Sequence, residues 1–557
     1  MYGNLSKKAF RRILLPTMLI VMATNVTAII DSFFVSSFIG QNGLAAIELL
    51  EPIILIVTVL EWVFGLGGQI LSVSKKGEFD ENGSNLYFTV AIVSTIIVCA
   101  VISIVGFFNI DNLIQILQGT AKLTPYVQQY APFLFISFTL STLLGVFSQY
   151  ICVDGQENFS SFVVIIANIV NIVLDYLFLG VFNMGIGSAS FATFIGYSVG
   201  LLCVSKYLFD SKRTFRFIHS LIPLKEWLKT FWEICKIGFP SASMGLFDVI
   251  LVYFMNILLL GVLGEGGLVS YTVSTESILI VSIIIIGVAE TLTSIVPLYY
   301  SQDDHKSVFT LIRHSIAFAL VFAIACTVFV WVWPEGFLSL YGLGNEANTP
   351  SIINAMRLYG FMYIPSVFAT ILIFYYESID RPIISTVMTL ITSLFGPLVI
   401  SYGLYPIFGE NIIWLSFPIS CVLSILAAFI CMKIMEHKEK EHHGIFFIKN
   451  ELIEKTKYYE LTSINDGDAS RLFDDLKSID ADIGSLREIL VKIFELNENN
   501  VSVEVFAIDY GDEIKINIKD DGKDIDIEKF KNEIGNIDDV KYTQTLGLNN
   551  LELVVKT

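Results

Sequence analysis

An all-α membrane protein of twelve transmembrane helices in two parallel six-helix repeats, carrying a small cytoplasmic C-terminal α/β domain, is the fold class that this sequence predicts. Three features predict it: a charge-poor composition, twelve long runs free of Lys and Arg, and a repeat at an offset of 224 residues. Apolar residues make up 54% of the 557 and charged residues 16%, against about a quarter charged in ordinary soluble domains. The 53 acidic residues outnumber the 35 basic ones, for a formal charge of −18. That balance excludes a nucleic-acid partner, because phosphate neutralisation requires clustered Lys and Arg. The acidity is uneven, since residues 438–557 hold 27 acids and 16 bases. A long charge-poor part therefore precedes a short, soluble, acidic one.

The runs lie at 13–35, 47–72, 86–107, 127–151, 159–181, 187–205, 237–260, 268–296, 315–333, 358–376, 383–403 and 412–432. Each is long enough, at about 1.5 Å per residue, to cross roughly 30 Å of hydrocarbon as a helix. The first run contains Asp31 and leads into many others, so it reads as a span and not as a cleavable signal peptide. An even number of spans puts both termini on one side. Lys7, Lys8, Arg11, Arg12, Lys75, Lys76, the run from Lys206 to Lys236, Lys306, Arg313, Arg381 and Lys433 share that side, whereas the other has Lys122 and Arg357. The positive-inside rule then predicts a multi-pass plasma-membrane protein with cytoplasmic termini. The seven Cys are scattered singly, without metal-ligand spacing, and read as small buried hydrophobes.

At the offset of 224, Pro16 meets Pro240, Gly40 and Gly43 meet Gly264 and Gly267, Leu44 meets Leu268, and Gly185 meets Gly409. Six spans per half start the second copy from the same side as the first, so the repeats are parallel, a transporter architecture with its site between the halves. The expected divisions are lobes at 1–220 and 221–437, a charged linker at 438–457 and a soluble domain at 458–557. Within the spans there is no Lys or Arg, whereas the acids Asp31, Glu51, Glu61, Asp175, Asp248, Glu276 and Glu290 are there. Acids at membrane depth are costly and are functional candidates by default, and a one-signed set suits cations.

Pro16, the stretch Asp31-Ser-Phe-Phe-Val-Ser-Ser-Phe-Ile-Gly40, Gly-Leu-Ala-Ala at 43–46, Gly65-Leu-Gly-Gly68, Asn171-Ile-Val-Leu-Asp175 and Gly185-Ile-Gly-Ser-Ala-Ser-Phe-Ala-Thr193 resemble the multidrug and toxic compound extrusion (MATE) family over residues 5–437. The resemblance implies two six-helix lobes and export of organic solutes driven by Na⁺ or H⁺. The matching positions imply a cation site in the first lobe at Asp31, Asn171, Asp175 and Thr193. Residue counts agree that three of these can meet, because Asp31, Asp175 and Thr193 each lie roughly 9–14 Å below the outer surface. Asn171 is one helical turn from Asp175 on the same face. Two carboxylates, an amide and a hydroxyl offer oxygen ligands for Na⁺, and two adjacent carboxyls also hold a proton readily. Their repeat mates, Met255, Phe395, Val399 and Phe417, are apolar, whereas a polar pin needed for the fold alone would recur. Asp248, Glu276 and Glu290 are the substrate-cavity candidates.

In the tail, the alternating runs Val501–Ile508 and Glu513–Ile518 around Asp509-Tyr-Gly-Asp512 predict a β-hairpin, and Ile483–Leu496 predicts an amphipathic helix. With Asp520-Asp-Gly-Lys-Asp524 and Leu546-Gly-Leu-Asn-Asn-Leu551 they resemble the histidine-kinase-type ATPase fold in its anti-sigma-factor-like form, which implies nucleotide contacts at Asp520, Gly522 and Gly547. Lys492 stands where that fold has a metal-holding Asn, so a degenerate regulatory or docking module is expected in place of nucleotide binding, with a cytoplasmic partner. His437, His442 and His443 read as part of a solvated run. The expected function is export of small organic solutes or drugs, cationic and amphipathic, in exchange for Na⁺ or H⁺ by alternating access between the lobes, in contact with the lipid bilayer and with no catalytic residue and no required cofactor. The alternatives are a lipid-linked sugar flippase, which would want cavity Arg or Lys, and a membrane sensor that does not transport.

Overall fold

The computed structural model describes residues 3–117, 121–340, 349–439, 442–464, 466–477, 483–498, 500–511, 513–525, 530 and 540–556. Among the described residues eleven helices are long and apolar enough to span a membrane: α1 (Asn4–Phe38), α2 (Asn42–Gly77), α3 (Glu81–Phe108), α4 (Thr124–Val153), α5 (Glu157–Val181), α6 (Gly187–Leu208), α7 (Leu224–Leu263), α8 (Val281–Ser301), α9 (His305–Val332), α11 (Pro382–Phe408) and α12 (Asn411–Lys438). The pair Pro350–Gly360 and Tyr363–Ser378, bent by 41°, makes a twelfth span, α10. One expected run is interrupted. A separate helix, Glu265–Ser277, precedes α8, because the Ser277 hydroxyl turns back to the Ser274 carbonyl at 2.6 Å and also meets the Tyr363 hydroxyl. Such local bonds compete with the helical ladder and bend it.

The repeat is written into the backbone. Gly40 and Gly264 have φ of 97° and 66° immediately before a helix, a region open in practice to glycine alone. Asp80 and Asp304 accept from the amides of Gly83 and Ser307 at 2.8 and 3.2 Å, capping α3 and α9, as short polar side chains do at helix starts. Phe79 and Asp303, just before those caps, share φ values of 59° and 58°.

The lobes α1–α6 and α7–α12 meet on the side that carries both termini. A Cβ on Gly67 would come within 2.5 Å of the Ile234 carbonyl and 2.8 Å of the Gly238 nitrogen, so α2 and α7 touch backbone to backbone there. Side-chain hydrogen bonds join the lobes from Gln69 to Ser294 at 2.9 Å and from Tyr87 to Glu233 at 2.6 Å, both in the termini-side half. Towards the other side, Gly245, Gly261 and Gly264 have open space around them.

The tail is a five-stranded antiparallel sheet, β1 (Thr456–Leu461), β2 (Val503–Asp509), β3 (Glu513–Asp520), β4 (Val540–Thr545) and β5 (Leu548–Lys556), in the order β1-β2-β3-β5-β4. Helices α13 (Gly467–Lys477) and α14 (Ile483–Leu496) complete it. Leu486, Ile489, Leu490 and Ile493 of α14 share a core with Val503, Val505, Ile516, Ile518 and Leu551, the stripe that a 3.6-residue period places on one helix face. The expected hairpin is β2–β3, with Val505 opposite Ile518; Asp512 of its turn lies outside the described residues. The linker departs from a solvated run. Phe447 is fully buried, the hydroxyls of Tyr300, Tyr375 and Tyr376 donate to the carbonyls of Phe447, Phe446 and Ile445 at 3.0, 2.6 and 2.6 Å, and His442 stacks on Phe447. The apolar triplet Ile445-Phe446-Phe447 inside the charged stretch is the cause.

Candidate functional site

Asp31 stands on α1, Asn171 and Asp175 on α5, and Thr193 on α6, and the structure brings all four together. The Asn171 Nδ2 group donates to Asp175 Oδ2 at 2.9 Å and to Thr193 Oγ1 at 3.3 Å. The carboxyls of Asp31 and Asp175 are in hydrogen-bonding contact. Asn171 and Asp175 are buried, and Oδ1 of each aspartate is enclosed without a donor from any other group. Helix packing sets this up. A Cβ on Gly196 would fall 2.6 Å from the Ala167 carbonyl and 3.1 Å from Asn171 Cβ, so glycine there lets α6 lie directly on α5. Just beyond Asp175 the helix widens into a π turn, Tyr176–Val181, a distortion frequent at functional sites.

Two carboxyls in contact and shielded from water cannot both carry a full charge cheaply, so the pair calls for a proton or a metal cation between them. Its two enclosed oxygens without donors are the atoms that such a cation would satisfy. The expected all-oxygen set differs in one respect. Asn171 presents its N–H group to the cluster, because the Asp175 carboxylate one turn along draws the donor end of the amide. Among the described residues no three His, Cys, Asp or Glu side chains are grouped as a metal centre. Tyr130 of α4 lies within electrostatic range of both aspartates, and the Ser190 hydroxyl holds its carbonyl at 2.8 Å. One Tyr among 23 gives no sequence signal.

The three cavity candidates do not form one cluster. Asp248 of α7 bonds Ser393 of α11, with Tyr271 and Tyr359 in electrostatic range. Glu276 is exposed at the end of its helix, and Glu290 of α8 lies within range of Glu61 of α2 in the other lobe. Glu377, one residue beyond the expected tenth run, was missed. It is fully buried, and its Oε1 accepts the Ser241 amide at 2.6 Å beside Pro240, whose ring disrupts the ladder of α7.

In the tail, Asp520 Oδ1 accepts from the Gly522 amide and from Asn549 Nδ2, each at 2.9 Å, and burial pushes its carboxyl up to about 6 against those two bonds. The Asn497 side chain covers Gly522, where a Cβ would meet it at 2.3 Å, and accepts the Lys523 amide at 2.7 Å. Gly547 sits in the β4–β5 turn, packed against Gly155 and Arg12 of the first lobe. The groups that the resemblance assigned to a nucleotide are thus engaged within the protein.

Comparison with known proteins places the membrane part. The MatE family model matches residues 16–177 and 240–402, beginning at Pro16 and at its repeat mate Pro240. The multidrug export protein MepA of Staphylococcus haemolyticus is 22% identical over 322 residues, 58% of this chain and 70% of that protein. The FAD transporter of Shewanella oneidensis is 23% identical over 432 residues, 74% of this chain and 92% of that one. Among solved structures, an outward-facing multidrug resistance MATE family transporter of the MOP superfamily superposes with a TM-score of 0.71 at 19% identity, over 79% of this chain and 99% of that one. MATE in the straight conformation gives 0.71 at 20% identity, over 78% and 97%. With the family model covering both repeats and the twelve-span fold shared, the chain belongs to the MatE family and is a multi-pass membrane transporter, not an enzyme.

Proposed function

We propose that the protein is a secondary active antiporter that exports cationic, amphipathic organic solutes in exchange for a proton carried by the Asp31–Asp175 pair, with access alternating between the lobes. The observation that carries the coupling is the buried contact of two carboxyls whose Oδ1 atoms lack any other donor. A shared proton relieves the contact of the two carboxyls and leaves the Asn171 amide as it stands. Na⁺ would need the Asn171 amide turned by half a rotation so that its oxygen faced the ion. Asn171, with its N–H on Asp175, then supports the charge left when the proton departs.

The substrate class rests on charge. The relatives named for multidrug export favour organic solutes, while the relative named as an FAD transporter shows that a name in this family does not settle the sign of the cargo. In this chain the spans hold acids and neither Lys nor Arg within the runs, which supports cations and disfavours a lipid-linked sugar flippase. The Lys and Arg asymmetry supports cytoplasmic termini. Purified protein in vesicles, given a pH gradient and a Na⁺ gradient separately, tests the reading: transport driven by the pH gradient alone is expected, and transport driven by Na⁺ alone would reassign the ion. Labelling of introduced cysteines at positions 42 and 184 from outside intact cells, but not at position 78, tests the orientation.

A further inference from the structure

The tail does not hang free from α12. It sits across the seam between the lobes on the termini side and bonds to both. Towards the first lobe, Glu504 of β2 accepts the backbone amides of Gly3 and Leu5 at the start of α1, at 3.1 and 2.9 Å. Lys8 pairs with Asp521 and Arg12 with the Leu546 carbonyl. The Leu546 amide donates to the Val153 carbonyl at 2.8 Å, and the Thr545 hydroxyl reaches the same carbonyl at 3.1 Å. Lys76 reaches the Gln544 carbonyl at 3.2 Å. Towards the second lobe, Lys519 of β3 pairs with Asp304 at 3.1 Å, with both side chains fully buried, and stands over the Tyr299 ring. Tyr510 donates to Asp303 at 3.1 Å. The charges are complementary on each side: cations of the first lobe face acids and carbonyls of the tail, and acids of the second lobe face a lysine of the tail.

We propose that the C-terminal domain is an autoinhibitory clamp, which holds the lobes closed on the termini side and must release the first lobe before that side can open. The inference rests on the alternating-access reading above and adds a brake to it. The release point follows from where the tail is anchored. Its linker is fixed to the second lobe by the three tyrosine hydroxyls on residues 445–447 and by the two-pronged pair of Arg381 with Glu439 at 2.7 and 2.6 Å. When the lobes part, the tail stays with the second lobe and loses the first. The latch is therefore the β4–β5 turn, where Leu546 is fully buried and Gly547, at φ 60°, meets Gly155, at φ 85°. A Cβ on Gly155 would lie 2.6 Å from the Gly547 nitrogen. Both glycines take left-handed conformations that side chains rarely adopt, and at Gly155 the close backbone approach leaves no room for one.

The test uses the full-length protein, with its native cysteines replaced and Ser301→Cys placed in the lobe seam, where Ser301 lies against Gly77. The readout is the rate at which a membrane-impermeant maleimide labels that cysteine. Leu546→Arg, which sets a second cation against Arg12, is expected to raise the rate several-fold and to speed proteolysis of the linker. Cross-linking Lys8→Cys to Asp521→Cys with a cleavable reagent is expected to lower it at least tenfold, reversibly. Unchanged labelling in the cross-linked protein would overturn the clamp, as would unchanged labelling in a monodisperse Leu546→Arg protein. Gradient-driven transport in the same vesicles is expected to follow the labelling, rising with Leu546→Arg and stopping on cross-linking. Absence of transport before any cross-linking would refute the antiporter reading instead, while the labelling rates still decide the clamp.

Discussion

Replacing Asp31 by Asn separates a coupling role from a structural one, because it moves stability and transport in different directions. Asp175 Oδ1 is buried without a donor from any other group, and the amide of an Asn at position 31 can supply one. A hydrogen bond to a charged acceptor is worth about 1.5–3 kcal/mol, and the contact between two carboxyls disappears, so the variant should be at least as stable as its parent. Coupling should be lost, since an amide cannot bind and release the proton. The size of the effect follows from the gradient. Exchange of one monovalent organic cation for one proton moves no net charge, and a pH unit is worth about 1.36 kcal/mol, which sets a limiting accumulation of about tenfold per unit. With a gradient of two units, wild-type vesicles should approach a ratio of about 100 and the Asp31→Asn vesicles should remain at unity. Asp175→Asn should behave alike, whereas Thr193→Ala, which removes one neutral partner of Asn171, should slow exchange without abolishing accumulation. Steady-state uptake of a fluorescent cation, with the thermal midpoint measured on the same preparations, checks both halves. An Asp31→Asn protein that still accumulated substrate against the gradient would refute proton coupling at this pair.

Gly196→Val should cost about 1–3 kcal/mol by overpacking and lower transport as well, since the added carbons meet the Ala167 carbonyl and push α6 away from Asn171; thermal unfolding and uptake measure the two effects. Lys519→Met should destabilise the docked tail by about 3–5 kcal/mol, because Asp304 loses its buried ion-pair partner, and adding Asp304→Asn, which removes the charge but keeps the cap on the Ser307 amide, should recover most of the loss in a denaturant titration. Docking should also respond to pH through Glu504, whose carboxyl burial pushes up to about 7, beside Asp304 and Glu460 and against the Leu5 amide and Lys519. The folded value lies above the ordinary 4.5, so docking takes up a proton, is strongest below about 4.5 and weakens as pH rises through 7. Cross-linking yield between positions 8 and 521 should fall over that range in the parent and stay flat in Glu504→Gln.

The twelve spans, their division at an offset of 224 and the four polar residues of the first lobe were legible in the residue order, because each rests on a one-dimensional rule. Hydrocarbon thickness fixes the length of a run, the cost of burying charge makes an acid in such a run conspicuous, and Gly40 and Gly264 mark one backbone conformation twice. The hairpin β2–β3 and helix α14 were legible for the same reason, as periodicities of two and 3.6. Strands β1, β4 and β5 were not, since β1 pairs with β2 and β5 with β3 across long stretches of chain, and the β4–β5 hairpin turns at Leu546-Gly547, a stretch that the resemblance had assigned to a nucleotide loop. Nor was the direction of the Asn171 amide, which depends on where Asp175 and Thr193 come to rest. Glu377 fell one residue outside a run whose edge no local rule defines, and its partner, the Ser241 amide, lies 136 positions away. The linker triplet Ile445-Phe446-Phe447 was hidden by the charges around it, and three tyrosine hydroxyls from distant helices decide its burial. Gly547, assigned to a nucleotide loop by resemblance, takes its role from Gly155, 392 positions earlier and on another lobe. Period, length and charge are carried by neighbours along the chain, whereas docking, donor direction and the meeting of lobes arise from pairs that only folding brings within a few ångströms.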